Sequence, residues 1–334
     1  MATRTPTYYS SSDGSAPVLT GQNGSLITLL DAVLVNGYGS KSAAGWTKQY
    51  SGTNKAVYKM GSGGTNCVLR ILDDGSVATA AAREANARAA ESASDVDTLA
   101  DPFPLVANIA DTVNIWRKST SADSTARVWK AVADSRLILL WVEHSTTQSE
   151  LYIFGDLEPI YPGDAYCCFM MTRGTANSAS SMQVFASAPS SVGSSVSSLR
   201  SAMMRSASGS LKAEVAAPLA GSSNNFGNAG NASTVSDYPN PYTSKLHLLQ
   251  AMVISQGSNS AATSSDGCMP RAWIPWLFEP IHGLGFTGLA HNDTFTDTAY
   301  NASSEFVFLV GNTGSPATGI PKCVLQTAGA WTTP

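Results

Sequence analysis

Four histidines are the first side chains to consider for acid–base or metal chemistry: His144, His247, His282 and His291. His282 and His291 share the segment IHGLGFTGLAHNDTF, in which Asp293 follows the second histidine closely. Their separation matches no metal-ligand motif such as HExxH, which places two histidines one helical turn apart. We interpret the His-Asn-Asp sequence as a turn whose Asn and Asp side chains bond their own backbone. His144 is predicted at a strand edge, and His247 is predicted to point outward from a strand.

Motifs for nucleophilic, nucleotide or calcium chemistry are not found either. The sequence contains no GxSxG elbow and no GxxxxGK[ST] phosphate loop. Gly283–Gly288, GLGFTG, has the GxGxxG spacing, but it follows PWLFEPIH rather than a Val- and Ile-rich parallel strand. Asp95 and Asp97 alternate closely, but the Gly and distal Glu of an EF-hand loop are missing. We therefore predict no enzymatic activity, no cofactor and no metal site.

Five cysteines are scattered along the chain, at positions 67, 167, 168, 268 and 323. An odd, scattered set is not a disulfide framework, and no paired CxxC or His spacing indicates zinc. Cys167 and Cys168 are neighbours, so on a strand their side chains point to opposite faces. We interpret all five as small buried side chains of a protein in a reducing cytoplasm.

Aromatic side chains are the remaining candidates for recognition. Trp273, Trp276 and Phe286 lie in a proline-rich C-terminal segment, and Tyr242 lies shortly before it. Indole rings can stack on sugar faces, which would make this segment a carbohydrate platform. The alternative is a rigid, proline-braced segment that packs into the core or onto another subunit. We take these four residues as candidate interface or recognition anchors.

The composition limits the classes of protein to which these residues can belong. The chain has 334 residues, of which 43% are hydrophobic and only 13% are charged, with a formal net charge of −4. An ordinary domain carries charge on about a quarter of its residues, so small residues and uncharged polar groups must supply this surface. The 28 aromatic side chains (7 Trp, 11 Tyr and 10 Phe) argue against disorder. No basic run indicates direct nucleic-acid binding, and no apolar stretch is long enough for a membrane-spanning helix.

The pattern of apolar residues predicts a mainly β protein with an antiparallel sandwich-like or barrel-like fold. Short apolar runs are separated by Gly, Asn, Asp and Ser, which is typical of strands joined by turns. One short N-terminal helix is predicted over about residues 25–36, with Ser25 as its cap and Gly37 in the left-handed position after it. The predicted strands are Lys55–Met60, Cys67–Leu72, Val113–Arg117, Arg127–Ala131, Arg136–His144, Leu151–Phe154, Ala165–Thr172, His247–Ser255, Arg271–Phe278, Glu305–Val310 and Cys323–Thr327.

The distribution of residue types along the sequence predicts the domain organisation. Residues 1–20 are expected to form an extended N-terminal arm that becomes ordered only on contact. Residues 21–175 form a first β-rich domain, and residues 176–334 form a second β-rich half. That half contains a long Ser-, Asn- and Gly-rich insertion over residues 176–235, which we expect to form loops. The two halves can also be one continuous domain.

A block from Leu29 to Gly61, LLDAVLVNGYGSKSAAGWTKQYSGTNKAVYKMG, resembles the start of an uncharacterised virion structural protein family of tailed bacteriophages. Its further matching blocks are Ala82–Glu84 (ARE), Ser94–Thr98 (SDVDT), Pro102–Pro104 (PFP), Phe154–Asp156 (FGD), Tyr161–Tyr166 (YPGDAY) and His291–Asp293 (HND). The blocks cover the first half of the chain well and the second half thinly. The chain departs from the family pattern at Ala85, Ala87 and Ala89, where the family has larger residues.

The resemblance implies a mostly β structural subunit of a phage particle, without catalysis. It also implies a strand for residues 78–94, which are helical by propensity. We expect a multicopy virion protein that is assembled in the host cytoplasm, contacts copies of itself and other virion proteins, and is associated with the tail, neck or fibre. The alternatives are a capsid decoration or cement protein, a head fibre, and, from another class, an adhesin that binds host-surface glycan through the Trp-rich segment.

Overall fold

The computed structural model of the protein describes most of the chain in separate ranges. These ranges are residues 3–76, 83–103, 114–146, 148–172, 202–205, 209, 214–219, 248–256, 269–280, 290–296, 303–310 and 322–333. Most of the Ser-rich insertion, with His247, His282, Cys268 and the GLGFTG segment, lies outside the described residues.

The protein is mainly β, and each pair of neighbouring strands is antiparallel. The strands of the first half are β1 (Thr3–Arg4), β2 (Thr7–Ser10), β3 (Thr47–Gly52), β4 (Lys55–Lys59), β5 (Val68–Leu72), β6 (Glu84–Ala93), β7 (Leu99–Phe103), β8 (Ile115–Arg117), β9 (Trp129–Ala133), β10 (Leu137–Ser145), β11 (Gln148–Asp156), β12 (Glu158–Pro159) and β13 (Cys168–Met171). Those of the second half are β14 (Ala202–Met204), β15 (Glu214–Leu219), β16 (Leu248–Gln256), β17 (Met269–Pro280), β18 (Thr294–Thr296), β19 (Glu305–Val310), β20 (Lys322–Ala328) and β21 (Trp331–Thr332). The helix α1 (Ser25–Leu30) continues into a π-helical segment, Asp31–Asn36.

The described strands form two large sheets and one small one. The large sheet has the order β18-β19-β20-β17-β16-β15-β14-β13-β11-β10-β9-β2, with β12 paired to β17. The second sheet has the order β3-β4-β5-β6-β7, with β8 paired to β6, and β1 pairs with β21 alone. Strand β20 also comes close to β2 and β9, so the large sheet curls until its distant strands meet. This is the sandwich-like or barrel-like antiparallel fold that the strand pattern predicts.

One continuous core joins the two sheets. Alternate residues of β4, β5 and β6 face it, because successive strand side chains point to opposite faces. The buried cluster includes Tyr58, Leu69 and Ala87 from the six-stranded sheet and Trp141 and Phe154 from the large sheet. A smaller cluster lies on the outer face of the six-stranded sheet and contains Val57, Val68, Ala90, Ala93 and Val96.

Each of the eleven strands predicted from sequence is confirmed within a few residues, because alternation and flanking turns identify them without tertiary information. The preference for a strand over residues 78–94 is also confirmed, since Glu84–Ala93 is β6. Residues 77–82 lie outside the described part. Both faces of β6 are covered, and Ala85, Ala87 and Ala89 are fully buried. Alanine there lets the two sheets approach closely, and burial overrides the helical propensity of the segment.

Two strands lie within residues 3–20 of the segment that was predicted as an extended arm. Strand β1 pairs with β21 near the C-terminus, and β2 pairs with β9 in the large sheet. Tyr9 and Leu19 are fully buried. The backbone hydrogen bonds of this segment are therefore made within the chain, as buried backbone groups require. The contact that orders the segment is the rest of the same protein.

The predicted helix is present, but its ends differ from the prediction. Gly24, with φ of 81°, occupies the N-terminal cap position, and Ser25 Oγ instead donates to the carbonyl oxygens of Thr20 and Gln22. Gly37 has the expected positive φ of 74°, but its ψ of 174° is extended rather than left-handed. Local sequence pattern located the helix, whereas Gly24 rather than Ser25 takes the position before its first turn.

The division near residue 175 is crossed by the large sheet. Strand β13, before this point, pairs with β14, after it, through Phe169↔Met204 and its two neighbours. Strand β12 also pairs with β17 from the second half. The large sheet therefore contains strands from both sides of this point.

Asp73 ties the helix to the sheets through a buried ion pair. One oxygen of its carboxylate accepts the backbone N–H of Leu26 at 2.9 Å, in the first turn of α1. The other oxygen accepts a hydrogen bond from Lys118 Nζ, and both side chains are fully buried. Burial raises the pKa of Asp73 to about 6, although Lys118 and the backbone N–H groups favour the ionised form. The helix terminus is thus held by a side chain that lies far along the sequence.

A larger side chain at Ala87 tests the close approach of the sheets. We expect Ala87→Leu to lower the free energy of unfolding by about 1–3 kcal/mol, because extra methylene groups strain a well-packed core. Ser92→Leu, at an exposed position of the same strand, is the matched control and should stay within about 0.5 kcal/mol of wild type. Urea denaturation measures both, and an Ala87→Leu protein as stable as wild type would contradict the packing described above.

The raised pKa of Asp73 predicts a specific pH dependence. Between pH 4 and 6 the folded protein keeps a proton on Asp73 that the unfolded chain has lost, so this carboxyl lowers stability as pH rises. The free energy of unfolding of wild type, measured relative to that of Asp73→Asn, should therefore fall by about 2–3 kcal/mol between pH 4 and 7. The pKa of the neighbouring Asp74 is lowered, so this carboxyl is already ionised in both states over most of the range. The difference in free energy of unfolding between wild type and Asp74→Asn should therefore change little between pH 4 and 7. Denaturation curves at each pH measure both differences, and parallel profiles for the two variants would refute the assignment.

Candidate functional site

A surface loop between Leu157 and Cys167 is the candidate site. The backbone N–H of Leu157 donates to the Cys167 carbonyl at 3.1 Å and closes the base of the loop. One side of the loop is strand β12, which pairs with Ala272 and Trp273 of β17. The structure thus joins two sequence features, the YPGDAY block and the Trp-rich segment, on one side of the large sheet.

The tip of the loop is a turn that its sequence encodes. In Tyr161-Pro162-Gly163-Asp164, Pro fixes the φ of the second residue and Gly supplies the positive φ of the third, as a type II turn requires. Gly163 has φ of 97°, and the Asp164 N–H donates to the Tyr161 carbonyl at 3.2 Å. The turn leaves Tyr161 51% exposed, as one of the three large hydrophobic side chains exposed in the described ranges.

Asp164 and Arg271 fasten the loop to the sheet. Arg271 Nε donates to Asp164 Oδ2 at 2.7 Å, and Nη2 donates to Oδ1 at 3.1 Å. The two side chains are only 2% and 7% exposed, so the pair is shielded from water. Burial by itself would raise the pKa of Asp164, but hydrogen bonds from Arg271 and the Tyr166 N–H outweigh it, and the pKa lies below its ordinary value. The carboxylate therefore stays ionised and bound at neutral pH.

Arg205 supports the other side of the loop. Its guanidinium lies 4.9 Å from the centre of the Tyr166 ring, a cation–π distance. The same guanidinium forms an ion pair with Glu91 of β6 and donates to the Gly209 carbonyl. Through Tyr166 and Arg205, the loop is thus connected to both sheets.

Trp273 contributes the second accessible ring near this loop. It lies two residues after Arg271 on β17 and directly opposite Glu158 of β12. Trp273 is partly buried and packs against the main core. Chemically, the loop offers one exposed tyrosine, one partly exposed indole and a buried arginine–carboxylate clamp, which suits aromatic contact with a protein or sugar surface.

The other predicted anchors are placed differently. Trp276 is fully buried, with the Arg4 guanidinium 4.9 Å from the centre of its ring, so it is a core residue and not a surface anchor in this chain. Its burial follows from a bulge in β17 between the pairs Gln250↔Phe278 and Met252↔Trp273, where Trp276 has a φ of 63°. Tyr242 and Phe286 lie outside the described residues.

The YPGDAY block was identified from the sequence only through the family resemblance. Tyr161, Asp164 and Arg271 were not predicted as parts of one site. The Pro-Gly turn signature could have identified the exposed tip. No sequence signal pairs Asp164 with Arg271, because they are 107 positions apart.

The histidines that the structure describes make structural contacts. His144 is fully buried, which corrects its prediction as a strand-edge residue, and its Nε2 lies 3.7 Å from Glu150 Oε2. His291 Nε2 lies 2.9 Å from Glu143 Oε1. The turn predicted for residues 291–293 is confirmed, since Asp293 accepts the Ala290 N–H through its side chain and donates its own N–H to the Ala290 carbonyl.

Within the described ranges, no three His, Cys, Asp or Glu side chains are grouped as metal ligands, and no helix has the length and apolar character needed to cross a membrane. No protein-family model and no curated protein matches the chain.

Replacement of Asp164 tests the clamp. We expect Asp164→Asn to lower the free energy of unfolding by about 3–5 kcal/mol, because Arg271 keeps a buried charge without its carboxylate. Hydrogen exchange should also speed up across residues 157–167. Asp97→Asn is the matched control, since the Asp97 side chain is 57% exposed in its ion pair with Lys55 and such pairs contribute about 1 kcal/mol or less. Equal effects of the two substitutions, measured by urea denaturation, would show that the clamp does not hold the loop.

Proposed function

We propose that the chain is a non-enzymatic structural protein of a tailed-bacteriophage virion, present in many copies and associated with the tail. The sequence support is the block from Leu29 to Gly61 with the shorter blocks that follow it. The observation that carries the proposal is where the structure places two of the shorter blocks, Ser94–Thr98 and Tyr161–Tyr166.

Both of these blocks form surface turns rather than core strands. In the first, the Ser94 N–H donates to the Thr98 carbonyl at 3.2 Å, and the Asp95 carboxylate accepts the Asp97 N–H at 3.0 Å. The second is the loop clamped by Arg271. A residue pattern in the core can reflect packing alone, whereas a specific pattern in surface turns favours contact with a partner. For a virion subunit, the partners are copies of itself and other virion proteins.

The distribution of charge agrees with a subunit whose surface is covered in the particle. Charged side chains are scarce, and several of them form ion pairs inside the fold, among them Arg4–Asp134, Asp73–Lys118 and Arg271–Asp164. The remaining surface relies on Ser, Thr, Ala and Gly. Such a surface can be covered by a neighbouring subunit at a lower desolvation cost than a charged one. The members of each pair are hydrogen-bonded to each other, and Arg4 and Asp73 also bond to the backbone.

Two alternatives keep part of this interpretation. A capsid decoration or cement protein, or a head fibre, would use the same surface at another place in the particle. A host-glycan adhesin is a candidate of another class, and it is favoured by one observation. The exposed Tyr161 ring lies on the loop that pairs with the Trp273 strand, and paired aromatic rings can stack on a sugar.

Immunogold electron microscopy of purified particles tests the proposal and separates the locations. An antibody raised against the recombinant chain is applied to particles of the phage whose genome encodes it. Label on the tail, neck or fibre is the expected result, and label on the head would replace the tail assignment with the capsid alternative. Unlabelled particles, together with no peptide of the chain in their mass spectrum, would refute a virion protein.

Cell binding tests the adhesin. The purified chain, Tyr161→Ser and the control Val18→Ser, which alters another exposed apolar side chain (59% exposed), are incubated with host cells. An adhesin requires binding by wild type and by Val18→Ser, with at least about a tenfold loss for Tyr161→Ser, equivalent to 1.4 kcal/mol. Absence of binding by folded wild type would remove this candidate.

A further inference from the structure

Cys67 lies in the core immediately before β5 of the six-stranded sheet, where it is only 3% exposed. Its sulfur lies 3.2 Å from Thr65 Oγ1, within hydrogen-bonding distance. Thr65 is itself fixed by Asp156, whose carboxylate accepts the Thr65 backbone N–H and hydroxyl, each at 2.6 Å. The position of the Cys67 thiol is therefore set by a residue of the large sheet.

Cys168 reaches the same point from β13 of the large sheet. It lies directly opposite Asp156 in the β11–β13 ladder, and side chains of directly opposed residues lie on the same face with Cβ atoms about 5 Å apart. Cys168 is 2% exposed. Besides burial and Asp156, the side chains that act on the Cys168 thiol are those of Cys67 and Thr65. Two reduced cysteines from different sheets are thus neighbours inside the core.

The neighbouring Cys167 does not share this position. Consecutive strand residues point to opposite faces, and the Cys167 thiol donates to the Asp164 carbonyl in the candidate loop, at 3.6 Å. Cys323 lies in β20, fully buried. Cys167 is therefore the matched control for Cys168, because it differs by one position and by the face of the strand.

We propose that Cys67 and Cys168 form an intramolecular disulfide that locks the six-stranded sheet to the large sheet when the protein meets an oxidant such as hydrogen peroxide. Each thiol loses its hydrogen and one S–S bond forms. The two protons and two electrons reduce the peroxide, whose O–O bond breaks to give two water molecules. The disulfide closes a segment of about 100 residues, a length for which cross-linking strongly restricts the unfolded chain.

The same surroundings explain why the pair is reduced before exposure to oxidant. Burial raises the pKa of the Cys168 thiol well above its ordinary value, and the adjacent Cys67 thiol adds to this effect. A thiol is a poor nucleophile until it is ionised, so oxidation of this pair is slow. The pair therefore stays reduced until the protein meets an oxidant. This inference concerns the isolated chain and does not depend on its place in a virion.

Peptide mapping of the full-length chain tests the proposal. The protein is purified without oxygen, treated with hydrogen peroxide, alkylated with iodoacetamide and digested with trypsin. Trypsin releases residues 60–70, which contain Cys67, and residues 137–173, which contain Cys167 and Cys168. We expect these two peptides to be recovered joined, with the loss of two hydrogens, and to separate after reduction.

Two variants assign the partner of Cys67. The joined peptide should form in Cys167→Ser and should be absent from Cys168→Ser, with circular dichroism used to confirm that each variant is folded. If Cys168→Ser fails to fold, fragmentation of the wild-type cross-linked peptide assigns the bond instead. Recovery of Cys67 and Cys168 as separate alkylated peptides, a bond from Cys67 to Cys167, or a bond between two chains would each overturn the proposal.

Thermal unfolding supplies a second readout. Oxidised wild type should melt about 5 °C above the reduced protein, because the closed segment is long, and reductant should reverse the increase. Oxidised Cys167→Ser should show the same increase. An unchanged melting temperature in a protein with the mapped disulfide would refute the locking role.

Discussion

The contacts of the Arg4 guanidinium join segments that are far apart in sequence, and the arrangement of these segments depends on them. It donates two hydrogen bonds to Asp134, at 2.8 and 2.7 Å, and a third to the Asp156 carbonyl at 2.6 Å. It also lies over the Trp276 ring, while its own strand β1 pairs with β21. A buried guanidinium must have partners for its donors, because an unpaired charge in the core costs several kcal/mol. This requirement fixes the N-terminus, the β9–β10 turn, the end of β11 and the bulge of β17 relative to one another.

The same constraint recurs wherever the chain places a charge inside. Asp73 joins the start of α1 to Lys118, and Asp164 joins the candidate loop to Arg271 of β17. Each pair connects segments far apart in sequence. Only 13% of the residues are charged, and several of them form ion pairs inside the fold that join separate segments. The low charge of the chain and the use of charged groups inside the fold are the physical basis for proposing a subunit that is covered by neighbours.

The sequence and the structure agree best where the determinants are local. Strands β4, β5, β10 and β19 were predicted within one or two residues, because alternation and flanking turn residues are local signals. Strand β6 needed the resemblance, since its alanines favour a helix by propensity. The strand at Thr7–Ser10 was not predicted, because it forms only where β9 offers its hydrogen-bonding edge. At the candidate site, Trp273 was predicted, whereas Asp164 and Arg271 carry no local sign of their pairing.

The sequence by itself determined the mainly β class, the position of the helix, the low charge and the type of turn at Pro162-Gly163. Each of these follows from the residue types within a short window. Only the tertiary structure decided that Trp276 is buried while Tyr161 is exposed, that Arg271 holds Asp164, and that Cys168 rather than Cys167 meets Cys67. These outcomes depend on which strands pair and on the register of each ladder. A shift of one residue would turn every side chain of a strand to its other face.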